Sequence, residues 1–364
     1  MPPKIVHVET GTHLYGGALQ VVYLLEGLRN AGVENVLVCP RGSAIANAAR
    51  DLASDVHEVT MGGDGDIGFV SRLRRILRQH QPDLVHLHSR RGADLWGGVA
   101  ARLAGIPVVL TRRVDNPEPH WWVALKYRLY DRVVTISQGI RRVLLEEGLP
   151  AAKVDCVPSA VDTSRFQPGC ESDWFEAEFP LTKGQAVVGV VAQLIRRKGH
   201  RYLIEAITQI VQQAPHTRFV FFGRGPLESE LKALCDNKGV AGYVHFAGFR
   251  NDIERVLPCI DVLVHPADME GLGVTLLQAA ACEVPIVATP VGGIPEIVRD
   301  GVNGYLVTPG DVTVLTKRII ALLSDAPLRH SLGQAGRALA VEHYSIEAMV
   351  RGNLEVYARV LGVQ

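Results

Sequence analysis

The stretch His265 to Pro285, HPADMEGLGVTLLQAAACEVP, contains the junction that decides the fold we expect for this chain. The apolar run Val262 to Val264 before it, with Ile260 nearby, predicts a buried strand, and the helix that follows opens on Glu270 to Gly273. Glycines at such a junction expose backbone N–H groups at the positive end of the helix, which favours a bound phosphate. Gln278 follows on nearly the same helix face as Glu270, so both side chains can face one ligand. The plainer alternative is a capping carboxylate and an exposed amide.

Strands and helices alternate on both sides of this junction. The chain begins with a strand from Lys4 to Val8, a loop that carries Gly16 and Gly17, a helix and a second strand. This order predicts a parallel sheet with ligand-binding loops at the carboxyl ends of its strands. The loop lacks the G-x-G-x-x-G pattern, so a nicotinamide cofactor is not favoured. A second series of strands and helices begins at Ala186, after an aromatic and charged linker over residues 159–184. We expect an α/β protein with two Rossmann-like, doubly wound parallel-sheet domains facing across a cleft.

Length and composition exclude several classes of protein. The 364 residues are 47% hydrophobic and 21% charged, which suffices for the cores of two domains. The 38 basic and 38 acidic residues cancel, and there is no basic tail, so we expect no nucleic-acid partner. No apolar run is long enough to span a bilayer, and a strand follows closely after Met1. We therefore expect a cytoplasmic protein without a signal peptide. The six cysteines include no Cys-x-x-Cys pair, and we expect them to be reduced.

Several ordered motifs carry a resemblance to a known family. In the second half they are RKG from Arg197, FGRGP from Phe222, FAGF from Phe246, PADMEGLG from Pro266, and PVGGIPE from Pro290 with DGVNG from Asp300. The first half adds the Gly16-Gly17 loop and SQGI from Ser137. In this order the motifs resemble those of family 4 glycosyltransferases of the GT-B fold, which are retaining enzymes that use nucleotide diphosphate sugars. The resemblance covers nearly the whole chain.

The resemblance implies a division of labour between the two domains. Residues 1–165 would form an acceptor-binding domain and residues 166–344 a donor-binding domain, with the tail 345–364 packing back on the first. The reaction would move a sugar, preferably from a UDP-sugar, to a glycan or lipid-linked acceptor in cell-envelope polysaccharide or lipopolysaccharide synthesis. No metal and no other cofactor is expected, because GT-B enzymes generally work without one and no Asp-x-Asp triplet stands at a matching site.

The resemblance also assigns roles to single residues. Lys198 and Arg197 would neutralise the diphosphate as the sugar leaves, and Glu270 would hold a hydroxyl of the donor sugar. In a front-face displacement the leaving diphosphate helps to deprotonate the incoming hydroxyl, so positioning matters more than a dedicated base. The residues expected to bind the donor are Gly16, Gly17, Gly223, Gly225, Phe249, Arg250, Gly271, Leu272, Gly273, Val274 and Gln278.

Three positions depart from the family pattern. Gln278 stands where the family usually has a glutamate, whose charge would bind a ribose hydroxyl more strongly. Gln193 stands in place of an arginine whose charge Arg197 or its neighbour could supply. After the Val-Leu-Thr strand, where the family commonly has a histidine, the chain has two arginines, which cannot act as a base at neutral pH. We expect this loop to lie on the acceptor side, where an arginine could clamp a phosphate; its candidates are Arg112, Arg113 and Asp115.

The sequence leaves alternatives open for the binding partner and for the reaction. Aromatic and basic residues interleave from His120 to Tyr130, and the helix around Phe69 to Arg78 carries four arginines, as suits a peripheral site on an anionic inner membrane surface. A solvated helix face explains the same pattern. A non-catalytic GT-B subunit that binds a nucleotide sugar would account for the three departures, and a nucleotide-sugar epimerase would share the architecture. The sequence does not identify the sugar, the linkage or the oligomeric state.

Overall fold

The computed structural model describes residues 3–14, 16–88, 92–114 and 116–363. The chain divides into two compact units, one built from residues 1–160 and 346–364 and the other from residues 161–345. Each unit contains one parallel sheet with helices packed on it. The prediction of two Rossmann-like, doubly wound α/β sheets is confirmed.

The first unit contains a seven-stranded sheet in the order β3-β2-β1-β4-β5-β6-β7, in which all neighbouring strands are parallel. Its central strands are apolar and fully buried, which is typical of a sheet covered on both faces. The elements are β1 Lys4–Val8, α1 Gly17–Asn30, β2 Glu34–Pro40, α2 Ala44–Ala48, β3 Asp55–Val59, α3 Gly68–His80, β4 Leu84–Leu87, a π-helical turn Ala93–Gly97, α4 Gly98–Ala104, β5 Val108–Arg112, α5 His120–Lys126, β6 Arg132–Thr135, α6 Gln138–Glu146 and β7 Val154–Cys156.

The second unit contains a six-stranded parallel sheet in the order β10-β9-β8-β11-β12-β13. The order reverses between β8 and β11, and in open α/β sheets such a reversal marks the ligand-binding edge. The elements are α7 Ser172–Glu178, β8 Ala186–Val191, α8 His200–Gln213, β9 Thr217–Phe222, α9 Glu228–Asn237, β10 Val244–Gly248, α10 Ile253–Val256, β11 Val262–His265, α11 Val274–Ala281, β12 Ile286–Ala288, α12 Ile294–Ile297, β13 Gly304–Leu306, α13 Val312–Ser324 and α14 Ala326–Tyr344.

The last helix, α15 Ile346–Leu361, returns to the first unit and packs against α1. Its Met349 and Tyr357 are buried in the core cluster that contains Ile5 and Leu28. Close approach of the two helices depends on Gly27, because a Cβ there would lie 2.3 Å from a methyl carbon of Val350. The tail is therefore part of the core of the first unit.

One prediction about the cysteines is wrong. Cys170 and Cys259 form a disulfide within the second unit, so the six cysteines are not all reduced. The two residues are 89 positions apart, and no local pattern marks them as partners. The other four cysteines are not in disulfides: Cys39, Cys235 and Cys282 are buried, and Cys156 is half-buried.

Candidate functional site

Loops at the carboxyl edge of the second sheet form one continuous surface. They follow β8, β9, β11 and β12, which are neighbours in the sheet. Backbone hydrogen bonds connect them: the N–H of Asp268 donates to the carbonyl of Arg197 at 2.8 Å, and the N–H of Gly293 donates to the carbonyl of Gly271 at 2.8 Å. This is the edge at which doubly wound sheets bind ligands.

Glycines allow these loops to touch. A Cβ on Gly223 would lie 2.0 Å from the carbonyl oxygen of Ala192, and a Cβ on Gly292 would lie 1.6 Å from that of Glu270. Both glycines also have positive φ angles, +146° and +56°. A Cβ on Gly225 would likewise lie 2.3 Å from the carbonyl oxygen of Leu194. These glycines are therefore required by loop contacts, whatever ligand the surface binds.

Glu270 is held by three donors at the centre of this surface. Its Oε2 accepts hydrogen bonds from Lys198 Nζ and from His265 Nε2, the latter at 2.9 Å, and its Oε1 accepts from the N–H of Gly271 at 3.0 Å. The side chains of Lys198, Glu270 and His265 are 12%, 16% and 4% exposed. The structure thus brings together the Lys198 and Glu270 predicted from the sequence. It adds His265, which the sequence analysis did not single out.

The charge state of Glu270 follows from these contacts. Burial would raise the pKa of this carboxyl, but the hydrogen bond from His265 and the charge of Lys198 outweigh burial and lower the pKa from 4.5 to about 2. Burial also lowers the pKa of His265, so its imidazole is neutral at pH 7 and donates through Nε2. The surface therefore carries an ionised carboxylate paired with an ammonium group.

The start of helix α11 follows closely after Glu270 and has the features of an anion-binding helix terminus. Helix α11 begins at Val274 and is preceded by Gly273, whose φ is +90°. The N–H groups of its first turn have no i−4 partner in the helix and lie at its positive end. Gly271 and the buried Leu272 complete the turn, and Gln278 lies half-buried on α11.

The other predicted donor residues take different positions in the second unit. Arg197 is exposed. Phe249 is 53% exposed and thus is not a core residue. The guanidinium of Arg250 is bound by Asp252 at 2.8 and 2.6 Å and by Glu178, so a base edge at this loop would meet backbone groups and the Phe249 ring.

The first unit contains a cavity of about 1010 Å³ at the carboxyl edge of its own sheet. Gly17 and Arg113 line it, and the side-chain Cδ of Arg113 lies 3.3 Å from where a Cβ of Gly17 would be, so the glycine leaves room for the arginine. Arg113 Nη1 donates weakly to Ser159 Oγ at 3.4 Å. Burial lowers the pKa of Arg113, which the charge of Glu9 partly offsets. A half-buried cation therefore lines this cavity.

Arg112 lies in a different environment from the one we expected. Its guanidinium, 4% exposed, donates to the Glu118 carboxylate, to the Tyr127 hydroxyl and to the carbonyls of Val114 and Asn116. These partners leave it no free edge for a phosphate, so the structure gives Arg112 a structural role in place of the predicted clamp. The third acceptor-side candidate, Asp115, lies outside the described residues.

Three buried histidines beside the cavity were missed by the sequence analysis. His7 on β1 is the register partner of His86 on β4, and His88 follows β4. The sequence does carry a signal for them. A histidine within a buried, mostly apolar strand needs an internal hydrogen-bond partner, and His7 and His86 both stand in such strands. His86 Nε2 lies 2.7 Å from Thr111 Oγ1, and its Nδ1 lies 2.6 Å from the Tyr357 hydroxyl.

The basic residues between Arg90 and Arg142, predicted to face an anionic membrane surface, divide between two environments. Arg112 and Lys126 are buried, whereas Arg102, Arg128 and Arg142 are exposed. The Nζ of Lys126 lies 2.7 Å from Asp94 Oδ2 and 3.0 Å from Glu118 Oε1. Arg102 and Arg132 are paired with acidic residues as well, and Arg90 lies outside the described residues. Among the described residues, no helix has both the length and the apolar character needed to cross a membrane.

Two family models match the chain. The model described as Glycosyltransferase Family 4 matches residues 15–165, and the model described as Glycosyl transferases group 1 matches residues 173–339. They leave unmatched only residues 1–14, 166–172 and 340–364. The chain belongs to glycosyltransferase family 4. The resemblance inferred from the motifs is thereby confirmed.

Relatives of this glycosyltransferase differ in donor and acceptor. A Mycolicibacterium smegmatis protein named GDP-mannose-dependent alpha-(1-6)-phosphatidylinositol monomannoside mannosyltransferase is 29% identical, with 75% of this chain and 76% of the relative covered. An Escherichia coli protein named UDP-Gal:alpha-D-GlcNAc-diphosphoundecaprenol alpha-1,3-galactosyltransferase is 24% identical, with 89% of each chain covered. The crystal structure of Anabaena HepE in complex with UDP-glucose has the same GT-B fold, with a TM-score of 0.83, 21% identity, and 98% of this chain and 100% of that chain covered.

Proposed function

We propose that this glycosyltransferase moves a sugar, with retention of configuration, from a nucleotide diphosphate sugar to a glycan or lipid-linked acceptor of the cell envelope. The observation that carries the proposal is the ionised Glu270, held by Lys198 and His265 next to the N–H groups at the start of α11. A UDP-sugar is the preferred donor, supported by the UDP-glucose complex of HepE and the UDP-galactose of the E. coli relative. The mycobacterial relative uses GDP-mannose, so the nucleotide is the first thing to test.

Each group in the second unit has a separate task in this reaction. The helix terminus and the turn at Gly271 to Gly273 bind the diphosphate, and Lys198 with the exposed Arg197 neutralises the charge that grows on it as the sugar leaves. Glu270 accepts a hydrogen bond from a sugar hydroxyl, which it can do across the neutral pH range because its pKa is about 2. No side chain in this set is a strong base, so the leaving diphosphate takes the proton of the incoming hydroxyl.

The acceptor binds in the first unit, in the cavity lined by Gly17, His88 and Arg113. Arg113 occupies the place where the family commonly has a histidine, and its permanent charge rules out general-base catalysis there. It can instead donate hydrogen bonds to an acceptor oxygen. We propose that neither this cavity nor the donor surface needs a metal ion for transfer.

Thermal shift with a nucleotide panel tests the donor site. A ligand at one hundred times its dissociation constant adds about 2.7 kcal/mol of stability. We expect one of UDP, GDP and ADP, with its sugars, to stabilise the protein selectively, and we expect Lys198→Ala to abolish that shift. Lys232→Ala is the matched control, because Lys232 forms an exposed ion pair with Glu228 in the same unit. Absence of a shift with every nucleotide would contradict the proposal.

Products separate the remaining alternatives. With the stabilising nucleotide sugar and octyl glycosides as acceptors, transfer releases the nucleotide and gives an α-linked product from an α-linked donor. A non-catalytic subunit would bind the donor and release nothing. An epimerase would convert the sugar without an acceptor. Matches to two glycosyltransferase family models support transfer over epimerisation.

A peripheral site on the inner membrane surface is proposed for helix α5. Trp121 and Leu125, one helical turn apart, are 70% and 56% exposed, and Arg128 is exposed beyond them. An exposed tryptophan and leucine beside a cation suit the boundary between headgroups and acyl chains. We expect the protein to cosediment with phosphatidylglycerol vesicles at low salt, and the double variant Trp121→Ser/Leu125→Ser to lose this binding. Val341→Ser, at a 45% exposed position on α14, is the control. Equal sedimentation of all variants would exclude α5 as the contact.

A further inference from the structure

The hydrogen-bond directions in the histidine cluster of the first unit can be worked out from Asn35. The Nδ2 of Asn35 donates to the carbonyls of Leu25 and Val33, both at 3.3 Å, so its Oδ1 faces His7 Nε2 at 3.1 Å. An amide oxygen can only accept, and His7 Nε2 therefore carries the hydrogen. Burial lowers the pKa of His7 to about 4, so the ring is neutral at pH 7 and its Nδ1 is an acceptor.

The hydrogen-bond direction at His7 fixes the tautomer of His88. His7 Nδ1 lies 3.0 Å from His88 Nε2, so that nitrogen of His88 must carry a hydrogen. Burial, together with the neighbouring His86, His7 and Arg113, lowers the pKa of His88 well below 6.5, and the ring is neutral. The second nitrogen, Nδ1, therefore presents a lone pair. Among the described residues this atom has no hydrogen-bond partner, although the residue is only 2% exposed.

His88 lines the large cavity of the first unit together with Arg113 and Thr111. The Nε of Arg113 is a buried donor that likewise has no partner among the described residues. One unpaired acceptor atom and one unpaired donor atom, on two residues that line the same cavity, match the chemistry of a hydroxyl-bearing ligand, because a hydroxyl group both donates and accepts.

We infer that His88 is an acceptor-binding residue whose Nδ1 accepts a hydrogen bond from a hydroxyl of a sugar or cyclitol acceptor, while Arg113 donates to an oxygen of the same molecule. The inference rests on the proposed function, since it concerns the acceptor of that reaction. His88 does not remove the proton, because its burial beside a cation disfavours the imidazolium form. The incoming oxygen bonds to the anomeric carbon, the bond to the diphosphate breaks, and the proton goes to the diphosphate. His88 fixes the orientation of the hydroxyl and contributes to acceptor specificity.

Kinetics with octyl glycosides as acceptors test the binding role. We expect His88→Phe to lower kcat/KM for the acceptor by about tenfold to a hundredfold. His88→Asn supplies an amide oxygen near the position of Nδ1 and should recover part of this loss. His216→Phe, at an exposed histidine of the second unit, is the control. Full acceptor kinetics in His88→Phe would overturn the inference and leave the proposed function standing.

An NMR measurement tests the tautomer without any assay of transfer. Long-range ¹H–¹⁵N correlation spectra should contain one histidine signal, absent in His88→Asn, with a protonated Nε2 and an unprotonated Nδ1 that do not change between pH 6 and 8. Octyl α-glucoside added with UDP should shift that Nδ1. A protonated Nδ1, or a metal ion bound at one equivalent and lost in His88→Asn, would overturn the inference. Absence of transfer in the wild type would instead contradict the proposed function.

A separate cluster at the edge of the same sheet points to a metal site. Asp55 and His57 lie on the edge strand β3, and His80 is the last residue of α3. The Nε2 atoms of the two histidines are 2.7 Å apart, and Asp55 Oδ2 lies 3.2 Å from His57 and 3.4 Å from His80. Neighbouring ligands of tetrahedral zinc, with bonds of about 2.0–2.1 Å, are about 3.3 Å apart. The three ligand atoms thus converge on one point.

We propose that these residues bind one Zn²⁺ ion through two imidazoles and a carboxylate, leaving the fourth position to water. The ion would attach the edge strand β3 to the end of α3, and its role is therefore structural and independent of sugar transfer.

Calorimetric titration of metal-stripped protein with ZnCl₂ tests this site. We expect one equivalent to bind with micromolar or tighter affinity in the wild type, and at least tenfold more weakly in His80→Asn. His330→Asn, at an exposed histidine of α14, should bind as the wild type does. Absence of zinc binding by the wild type would show that Asp55, His57 and His80 only form hydrogen bonds with one another. Equal binding by His80→Asn would place the ion elsewhere.

Discussion

Single side chains around Glu270 determine whether the donor surface can work. Removal of Lys198 leaves a carboxylate that is only 16% exposed without its cation, and it removes the charge that would stabilise the leaving diphosphate. We expect Lys198→Ala and Glu270→Ala to lower turnover by about two to three orders of magnitude, in addition to any rise in the donor Michaelis constant. Steady-state kinetics of both variants beside Lys232→Ala check this. Turnover at the wild-type level in either variant would contradict the site assignment.

A comparison of Gly16 and Gly292 distinguishes the free-energy cost of backbone strain from that of a steric clash. Gly16 and Gly292 both have φ of +56°, but a Cβ on Gly16 has no atom within 4 Å, whereas one on Gly292 meets the carbonyl of Glu270. We expect Gly16→Ala to cost about 1 kcal/mol of unfolding free energy and Gly292→Ala several times more.

Thermal unfolding measures both variants, and nucleotide-induced stabilisation adds a functional readout. Gly292→Ala should also lose that stabilisation, because the clash moves the backbone that carries Glu270. Equal behaviour of the two variants would mean that the loops at Glu270 and Gly292 are not in contact in solution.

Helix packing in the first unit makes a further glycine informative. In most helix interiors an exposed glycine changed to alanine stabilises a protein by about 1 kcal/mol. Gly27 on α1 is the opposite case, because its Cβ would overlap Val350 of α15. We expect Gly27→Ala to destabilise the first unit by about 1–3 kcal/mol and to increase proteolysis of residues 346–364. Higher stability, with unchanged proteolysis, would show that α15 does not pack on α1 as described.

Elements with strong apolar patterns were predictable from the sequence, and those without them were not. The apolar patterns predict a strand from Leu84 to Leu87 and a helix from His200 to Gln213, and β4 and α8 have these bounds. Strand β3 was not predicted, because its sequence Asp55-Val-His-Glu-Val59 has only two apolar residues and lies at the sheet edge. Helix α7 was not predicted either. It lies in the predicted linker, and the rings of Phe175 and Phe179 pack with their centroids 4.9 Å apart.

The candidate site was predictable only in part, for a physical reason. Parallel topology brings loops together at one edge, so the meeting of Lys198 with Glu270, 72 residues apart, follows from the strand order. The side-chain partners within those loops depend on three-dimensional packing, which cannot be inferred from the spacing of residues along the sequence. This explains why the sequence could not reveal the internal partners of Arg112, the role of His265 or the disulfide of Cys170.

The whole molecule carries buried neutral histidines in both units, and they make its stability depend on pH. Burial lowers the pKa of His7 and of His200 to about 4, and it lowers the pKa of His86, His88 and His265 as well. An unfolded histidine has a pKa of about 6.5. Between pH 6.5 and 4 the unfolded chain therefore binds more protons than the folded chain, and the free energy of unfolding falls as the pH falls. Above pH 6.5 this contribution is fully present.

We expect a loss of about 2 kcal/mol for each of His7 and His200 between pH 6.5 and 5. Glu270 does not contribute in this window, because its stabilisation is lost only as the pH falls from about 4.5 towards 2. His200→Phe tests the assignment: both ring nitrogens of His200 lack hydrogen-bond partners among the described residues, so phenylalanine removes the titration without removing a bond. Thermal unfolding of this variant should depend less steeply on pH than that of the wild type, while His330→Phe should match the wild type. If the wild type were equally stable at pH 7.5 and pH 5, the buried histidines could not be neutral, and the tautomer argument for His88 would fail with them.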